Sequence, residues 1–334
     1  MSEQFSNDIM AEMVCAHVEA DCAALQFESV PTGHFNTTYF VEGADRPLVL
    51  RIAPPDDAGF VFYERGMMAQ EPPIHALIRE RTSAPVPEII AYDTSRRLID
   101  RDYLLMERLP GVPLTQFQCT QAQLDGILEQ LGRHLREIHG ITADRYGYLG
   151  EHNCMEPQPD WASAFRVMWG KLIDDVVQAG YYDGEQESWA KGLLDRHIEH
   201  FDRPVTSRLL HMDIWSQNIL VDDGANVTGL VDFDRALWGD KEIEFAVLDY
   251  CGISEPAFWR GYGPSIRPKN RPTQDLRFKR DTSHAAQIRR AFYLLYEVQK
   301  YIVIYHHRNR EFDRAERYKQ ESVAMLRELE SEGR

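Results

Sequence analysis

One segment in the second half of the chain, residues 208–234, most constrains the fold, because it has the pattern of strands among sequences typical of helices. Its apolar runs are only two or three residues long, and the Asp222-Asp223-Gly224 turn between the last two is typical of a hairpin. These runs are Leu209-Leu210, Ile219-Leu220-Val221 and Leu230-Val231. We therefore predict a β-hairpin embedded in a helical region.

The first third of the chain is also rich in strand patterns. β-Branched and aromatic residues recur from residue 25 to 53, and further strands are expected at 88–92 and 103–106. One helix is expected over about 73–81, and the turn-like segment Leu109-Pro110-Gly111-Val112-Pro113 ends the last strand. We place an N-terminal lobe at residues 1–106 and a C-terminal lobe at residues 107–334.

The remainder of the chain is mainly helical by its pattern. Thr120 and Gln123 have the spacing of a capping box, and apolar residues then recur at helical spacing up to Ile138. Other helices are expected at 7–20, 158–180, 185–200, 283–307 and 311–331. The chain is thus predicted to be an α+β protein with two unequal lobes, the first β-rich and the second helical.

Charge limits the classes of partner. The 334-residue chain has 37 Lys and Arg against 53 Asp and Glu, a formal net charge of −16. Such a surface repels nucleic-acid phosphates and anionic lipids, so we expect neither nucleic-acid nor membrane partners. The negative charge either serves solubility alone or also concentrates cationic small molecules near the protein. The oligomeric state is left open.

The five cysteines are scattered and include no C-x-x-C pair, which argues against a disulfide framework and a zinc site. The first thirty residues lack a basic segment followed by an apolar one, so no secretory signal is predicted. No window approaches the roughly 18 apolar residues of a membrane span. We expect a cytoplasmic protein.

The candidate chemistry lies within residues 208–234. Asp213 precedes Asn218 by five residues, and Asp232 follows at the end of the hairpin. Phosphoryl transfer needs a carboxylate to accept the proton of an attacking hydroxyl and oxygen ligands for Mg²⁺. We predict Asp213 as the base and Asn218 and Asp232 as metal ligands. His211 either braces the loop or moves protons, and Asp234 is either a second metal contact or a solvated turn residue.

Two sequence motifs, His-Met-Asp-x-x-x-x-Asn and then Val231-Asp232-Phe233-Asp234, resemble those of the aminoglycoside phosphotransferase and choline kinase-like family. The resemblance extends over roughly residues 25–305. It implies a protein-kinase-like fold, ATP as donor with GTP not excluded, and Mg²⁺. It also implies a phosphate-covering loop containing Gly33, Asn36 and Thr37.

The same resemblance places the nucleotide contacts further along the chain. Arg51 corresponds to the phosphate-binding cation, and Glu71 to its helix partner, with Glu64 as the alternative. A hinge that holds the adenine is expected at 103–111, with contacts from Met106, Glu107 and Leu109. Three residues depart from the family pattern: Met212 for glycine, Arg51 for lysine and Glu244 for aspartate. The last substitution puts a loop-bracing role of that position in doubt, and the first indicates that the turn does not require glycine.

The predicted function is therefore a small-molecule kinase that phosphorylates a hydroxyl of a small polar acceptor. Aminoglycoside-like, sugar, ketoamine, amino alcohol and macrolide acceptors stay open, with net acidity favouring a cationic one. A nucleotide-binding, catalytically silent scaffold is the alternative. A protein kinase is disfavoured because no A-P-E-like element follows Asp232.

Overall fold

The computed structural model describes residues 4–31, 35–56, 59–263 and 280–332. Its N-terminal part is an antiparallel five-stranded sheet in the order β1-β2-β3-β5-β4. The elements of this part are α1 (Asn7–Cys15), β1 (Gln26–Ser29), β2 (Thr37–Glu42), β3 (Leu48–Ile52), α2 (Glu71–Arg81), β4 (Ile89–Asp93) and β5 (Tyr103–Glu107).

The C-terminal part consists of seven helices and six short strands among the described residues. The strands are β6 (Val112–Pro113), β7 (Thr142–Ala143), β8 (Ser207–Leu210), β9 (Ile219–Val221), β10 (Val227–Leu230) and β11 (Leu237–Gly239). The helices are α3 (Gln121–Ile138), α4 (Trp161–Gln178), α5 (Gly184–His197), α6 (Lys241–Tyr250), α7 (Pro256–Tyr262), α8 (His284–His307) and α9 (Phe312–Glu332).

Local sequence signals account for the ends of several elements. The capping box at the start of α3 is present, with Thr120 and Gln123 bonded reciprocally. Helix α2 begins at Glu71, two residues before the predicted start, because Pro72 and Pro73 both fit in a first turn. The predicted hairpin is β9 paired with β10.

Two local expectations are wrong. Val112 and Pro113, assigned to a turn, form β6 and pair with β9, a contact that local sequence does not signal. Cys15 and Cys22, for which no disulfide was expected, are bonded and close the chain after α1. The sequence argument considered a framework of several bridges, whereas this bridge joins neighbours only seven residues apart.

The hydrophobic core is divided into separate clusters. One lies under the N-terminal sheet and includes Val41, Leu50 and Leu105, all fully buried. Another packs α3 against the embedded hairpin through Leu131 and Ile219. The largest apolar cluster joins α4, α5, α8 and α9. Within the described residues, no helix combines the length and apolar character needed to cross a bilayer.

Candidate active site

The loop after β8 is held in shape by its own polar groups. His211 Nδ1 accepts from the Asp213 N–H at 3.2 Å, and Nε2 donates to the Val231 carbonyl at 3.0 Å. Asn218 Nδ2 donates to the Asp213 carbonyl at 2.9 Å and to its carboxylate at 3.2 Å. Both nitrogens of His211 are thus engaged in holding backbone, which favours bracing over proton transfer. Asp213 borders the main cavity.

Glu244 braces this loop, contrary to the doubt raised by its replacement of aspartate. One oxygen of its fully buried carboxylate accepts from the His211 and Met212 N–H groups at 2.8 and 2.7 Å. The other accepts from His139 Nε2 at 2.5 Å. Met212 has φ +64°, a left-handed conformation that costs a non-glycine residue about 1–2 kcal/mol. The turn does not require glycine, and the Glu244 contacts hold it in this conformation.

Removing this brace should be costly. Glu244→Ala would leave two backbone N–H groups buried without an acceptor, each costing about 1–3 kcal/mol. Glu244→Gln keeps a carbonyl oxygen for both groups and should be milder. Urea unfolding at neutral pH would measure both, and equal stability of Glu244→Ala and the unmodified protein would contradict this role.

A buried charge cluster lies where β3 meets the end of the hairpin. Arg51 contacts Glu71 at 2.5 Å, Asp232 at 2.6 Å and Asp234 at 3.4 Å. Glu71 is fully buried and does not line the cavity, so its contact with Arg51 orients that side chain. Of the two glutamates considered as the partner of Arg51, Glu71 is the one that contacts it, because Glu64 contacts Arg235 and Arg308 instead.

The pKa values of the two aspartates of this cluster shift in opposite directions. Burial, together with the Asp232 and Glu71 carboxylates, raises the pKa of Asp234 well above its usual range. Burial acts in the same direction on Asp232, but the Arg51 and Arg235 charges outweigh it and lower its pKa. Asp234 is buried and lies 3.5 Å from Asn36 Nδ2, so it is not the solvated turn residue of one sequence alternative.

The oxygen donors at this point suit a hard cation. Glu71, Asp232 and Asp234 offer oxygens within 4.8 Å of one another. Asn218 uses its amide nitrogen on Asp213, which leaves the amide oxygen as the atom able to bind a metal. Asp232 and Asn218 both border the cavity, and oxygen ligands are those that Mg²⁺ prefers. These residues fit the expected metal.

A cavity of about 820 Å³ connects the remaining candidates. Asn36, Arg51, Met106, Glu107 and Leu109 line it together with apolar groups such as Val49 and Leu220. Thr37 does not line it but its neighbour Thr38 does, because successive side chains of β2 point to opposite faces of the sheet. Gly33 lies outside the described residues.

Sequence reasoning missed a second chain of charges. Arg235 donates to Asp213 Oδ1 at 3.0 Å and contacts buried Glu64 at 3.4 Å. Glu64 also accepts from Arg308 at 2.6 Å, and Arg308 lies over the Phe35 ring. These contacts therefore link the loop after β8 to the end of α8. Arg235 directly follows the recognised motif Asp232-Phe233-Asp234, but its partners Asp213 and Glu64 are far away in sequence.

The architecture is that of aminoglycoside phosphotransferases. The apo structure of a thermostable mutant of aminoglycoside phosphotransferase APH(4)-Ia is similar with a TM-score of 0.64, at 17% identity over 97% of this chain and 99% of that one. A ternary complex of that enzyme with AMP-PNP and hygromycin B has a TM-score of 0.61, at 17% identity over 90% and 93% of the two chains. This likeness confirms the predicted kinase-like α+β fold.

Sequence similarity gives the family. The chain belongs to the phosphotransferase enzyme family, whose sequence model matches residues 26–263. It is 27% identical over 202 residues to the "Probable ketoamine kinase" of Vibrio cholerae, which covers 56% of this chain and 62% of the relative. It is 24% identical over 186 residues to the hygromycin-B 4-O-kinase of Escherichia coli, covering 53% and 48%. The chain thus matches less than two thirds of the length of these curated relatives.

Proposed function

We propose that the protein transfers the γ-phosphoryl group of ATP to a hydroxyl group of a small-molecule acceptor. The observation that carries this proposal is the meeting of Asp213, Asn218, Asp232 and Arg51 at one cavity. Membership of the phosphotransferase enzyme family supports it.

Asp213 is the general base in this proposal. Asn218 and Arg235 hold its two carboxylate oxygens, so the group is oriented towards the cavity before the acceptor enters. It accepts the proton of the acceptor hydroxyl as that oxygen attacks the γ-phosphorus. Such pre-orientation is a large part of what phosphoryl transfer requires.

Arg51 and the metal ligands neutralise phosphate charge. Arg51, fixed by Glu71, donates to the nucleotide phosphates, and its planar fork suits their oxygens. Asp232 and the Asn218 amide oxygen would hold Mg²⁺, which supplies charge neutralisation at the phosphates when bound. The base of ATP lies between Val49 and Leu220 beside Met106, Glu107 and Leu109. GTP is an alternative donor, because a hinge recognises bases through backbone groups.

We propose a boundary between the lobes at residues 106 and 107, within the last residues of β5, and a cytoplasmic location, where ATP is supplied.

The test is an ADP-release assay of the purified protein against a panel of sugars, glycosides, ketoamines, amino alcohols and aminoglycosides. We expect ADP release that depends on one acceptor class and stops when EDTA removes Mg²⁺. Acceptor-dependent release that continues in excess EDTA would contradict the metal-ligand roles. Nucleotide binding with no release for any acceptor would favour the scaffold alternative.

A further inference from the structure

The carboxylates of the cavity are already engaged. Among the lining residues that the structure describes, there are four: Glu107, Asp213, Asp232 and Glu311. Asp213 and Asp232 belong to the phosphoryl-transfer centre, and Glu107 lies at the hinge. Glu311 is paired with Arg314 at 3.1 Å. No carboxylate in this set is left for an ammonium group, which counts against the cationic acceptor expected from net charge.

The cations beyond Asp213 are balanced in the same way. Arg308 is bonded to Glu64 and Arg314 to Glu311. Beneath them, buried Glu297 is bonded to Lys300. The charged side chains that line this end of the cavity, among the described residues, are therefore each paired with an opposite charge.

Aromatic rings form the surface at this end. We define the tyrosine platform as Tyr250, Tyr301, Tyr305 and Tyr318. Tyr301 and Tyr305 are one helical turn apart on α8, and both line the cavity with Tyr250. Tyr318 stacks on Tyr305 with ring centroids 5.4 Å apart and bonds Tyr250 through their hydroxyls at 3.1 Å.

The platform is fixed before any acceptor binds. Tyr301 lies 5.1 Å from the Tyr318 ring and 5.9 Å from the Tyr250 ring, and Arg314 covers Tyr305 at 4.2 Å. Rings held by such contacts lose little freedom on binding and present apolar area with a few hydroxyl groups. The platform also adjoins the base, because Tyr301 and Asp213 line the same cavity.

We propose that the acceptor is an uncharged, hydroxylated ring compound whose apolar face packs against the parts of Tyr301 and Tyr305 that line the cavity, and that polycationic aminoglycosides are not acceptors. This inference rests on the proposed function. The acceptor hydroxyl oxygen forms a bond to the γ-phosphorus, the bond from that phosphorus to the β-phosphate oxygen breaks, ADP leaves, and the proton goes to Asp213. At the platform end of the cavity a polyamine would find Glu311 already paired with Arg314 and would have to compete with that arginine.

Binding of two probes to the protein saturated with ADP and Mg²⁺ tests the inference. We expect saturable binding of phenyl β-D-glucopyranoside at physiological salt, measured by calorimetry, and much weaker binding of kanamycin. Tyr305→Ala should weaken phenyl glucoside binding by about five- to tenfold, the effect of losing one aromatic contact. Tyr305→Phe keeps the ring and should bind as the unmodified protein does.

A charge variant tests the second part of the inference, that polycationic aminoglycosides are not acceptors. Arg314→Ala frees the Glu311 carboxylate and should strengthen kanamycin binding, whereas Arg317→Ala, an exposed arginine on the same helix, should not. The inference is overturned if phenyl glucoside does not bind, if Tyr305→Ala leaves its binding unchanged, or if the unmodified protein binds kanamycin more tightly. Phosphorylation of kanamycin would overturn this inference and leave the proposed function standing. Binding of phenyl glucoside with no phosphoryl transfer to any acceptor would leave the platform standing and contradict the proposed function.

Discussion

Replacing Asp213 with asparagine is expected to lower kcat by about 10²- to 10⁴-fold, the usual contribution of a general base. Asparagine keeps an oxygen that Arg235 can bond, so the loop should keep its shape, but it cannot accept the proton of the acceptor hydroxyl. Nucleotide affinity should change little, because Arg51 and the hinge residues are untouched. Steady-state ADP release and calorimetric titration with AMP-PNP measure the two effects separately.

A matched control is available on the adjoining hairpin turn. Asp223 is exposed between β9 and β10, and Asp223→Asn makes the same chemical change away from the cavity. It should leave both kcat and nucleotide affinity unchanged. Full turnover in Asp213→Asn would show that another group accepts the proton.

Replacing Arg51 with methionine should have the largest effect on stability. The change leaves Glu71, which is fully buried, and Asp232 without their shared cation. Breaking a buried ion pair by removing one partner costs about 3–5 kcal/mol of the free energy of unfolding. Urea unfolding measures this loss, and ATP affinity should fall as well because the phosphates lose a bidentate donor.

Two further variants show whether the loss of stability in Arg51→Met comes from the buried ion pairs. Arg51→Lys keeps the charge but cannot contact three carboxylates with one planar group, so its stability should lie between those of the methionine variant and the unmodified protein. Arg46→Met removes an arginine whose pair with Glu88 is half exposed, and exposed pairs contribute little. Equal stability of the Arg51 and Arg46 methionine variants would contradict the account of the cluster.

Much of the fold follows from local patterns. The helices show their apolar spacing and caps within a single window, as α3 does with Thr120 and Gln123. The loop after β8 and Asp232 lie on either side of one hairpin, so a short stretch of sequence brings them together. The strand β6 was missed because two residues pair with β9 more than a hundred positions away.

The parts of the site that sequence could not supply depend on distant packing. Glu64 meets Arg235 and Arg308 across separations of 171 and 244 residues, and no local pattern marks such a chain. Glu244 was doubted because its carboxylate is one methylene longer than the usual aspartate, yet it reaches both N–H groups of the loop. Net charge suggested a cationic acceptor, but the −16 describes the whole chain and not the cavity, where the described charges are paired.

The central claim is that this cavity moves a phosphoryl group to a hydroxyl, and ³¹P NMR of the reaction mixture tests it most directly. With ATP, Mg²⁺ and the acceptor found in the panel, we predict a phosphomonoester signal that grows in step with the β-phosphate signal of ADP. The Asp213→Asn variant should show neither over the same time. Inorganic phosphate appearing with ADP in place of a phosphomonoester, or equal phosphomonoester formation by the variant, would contradict the account.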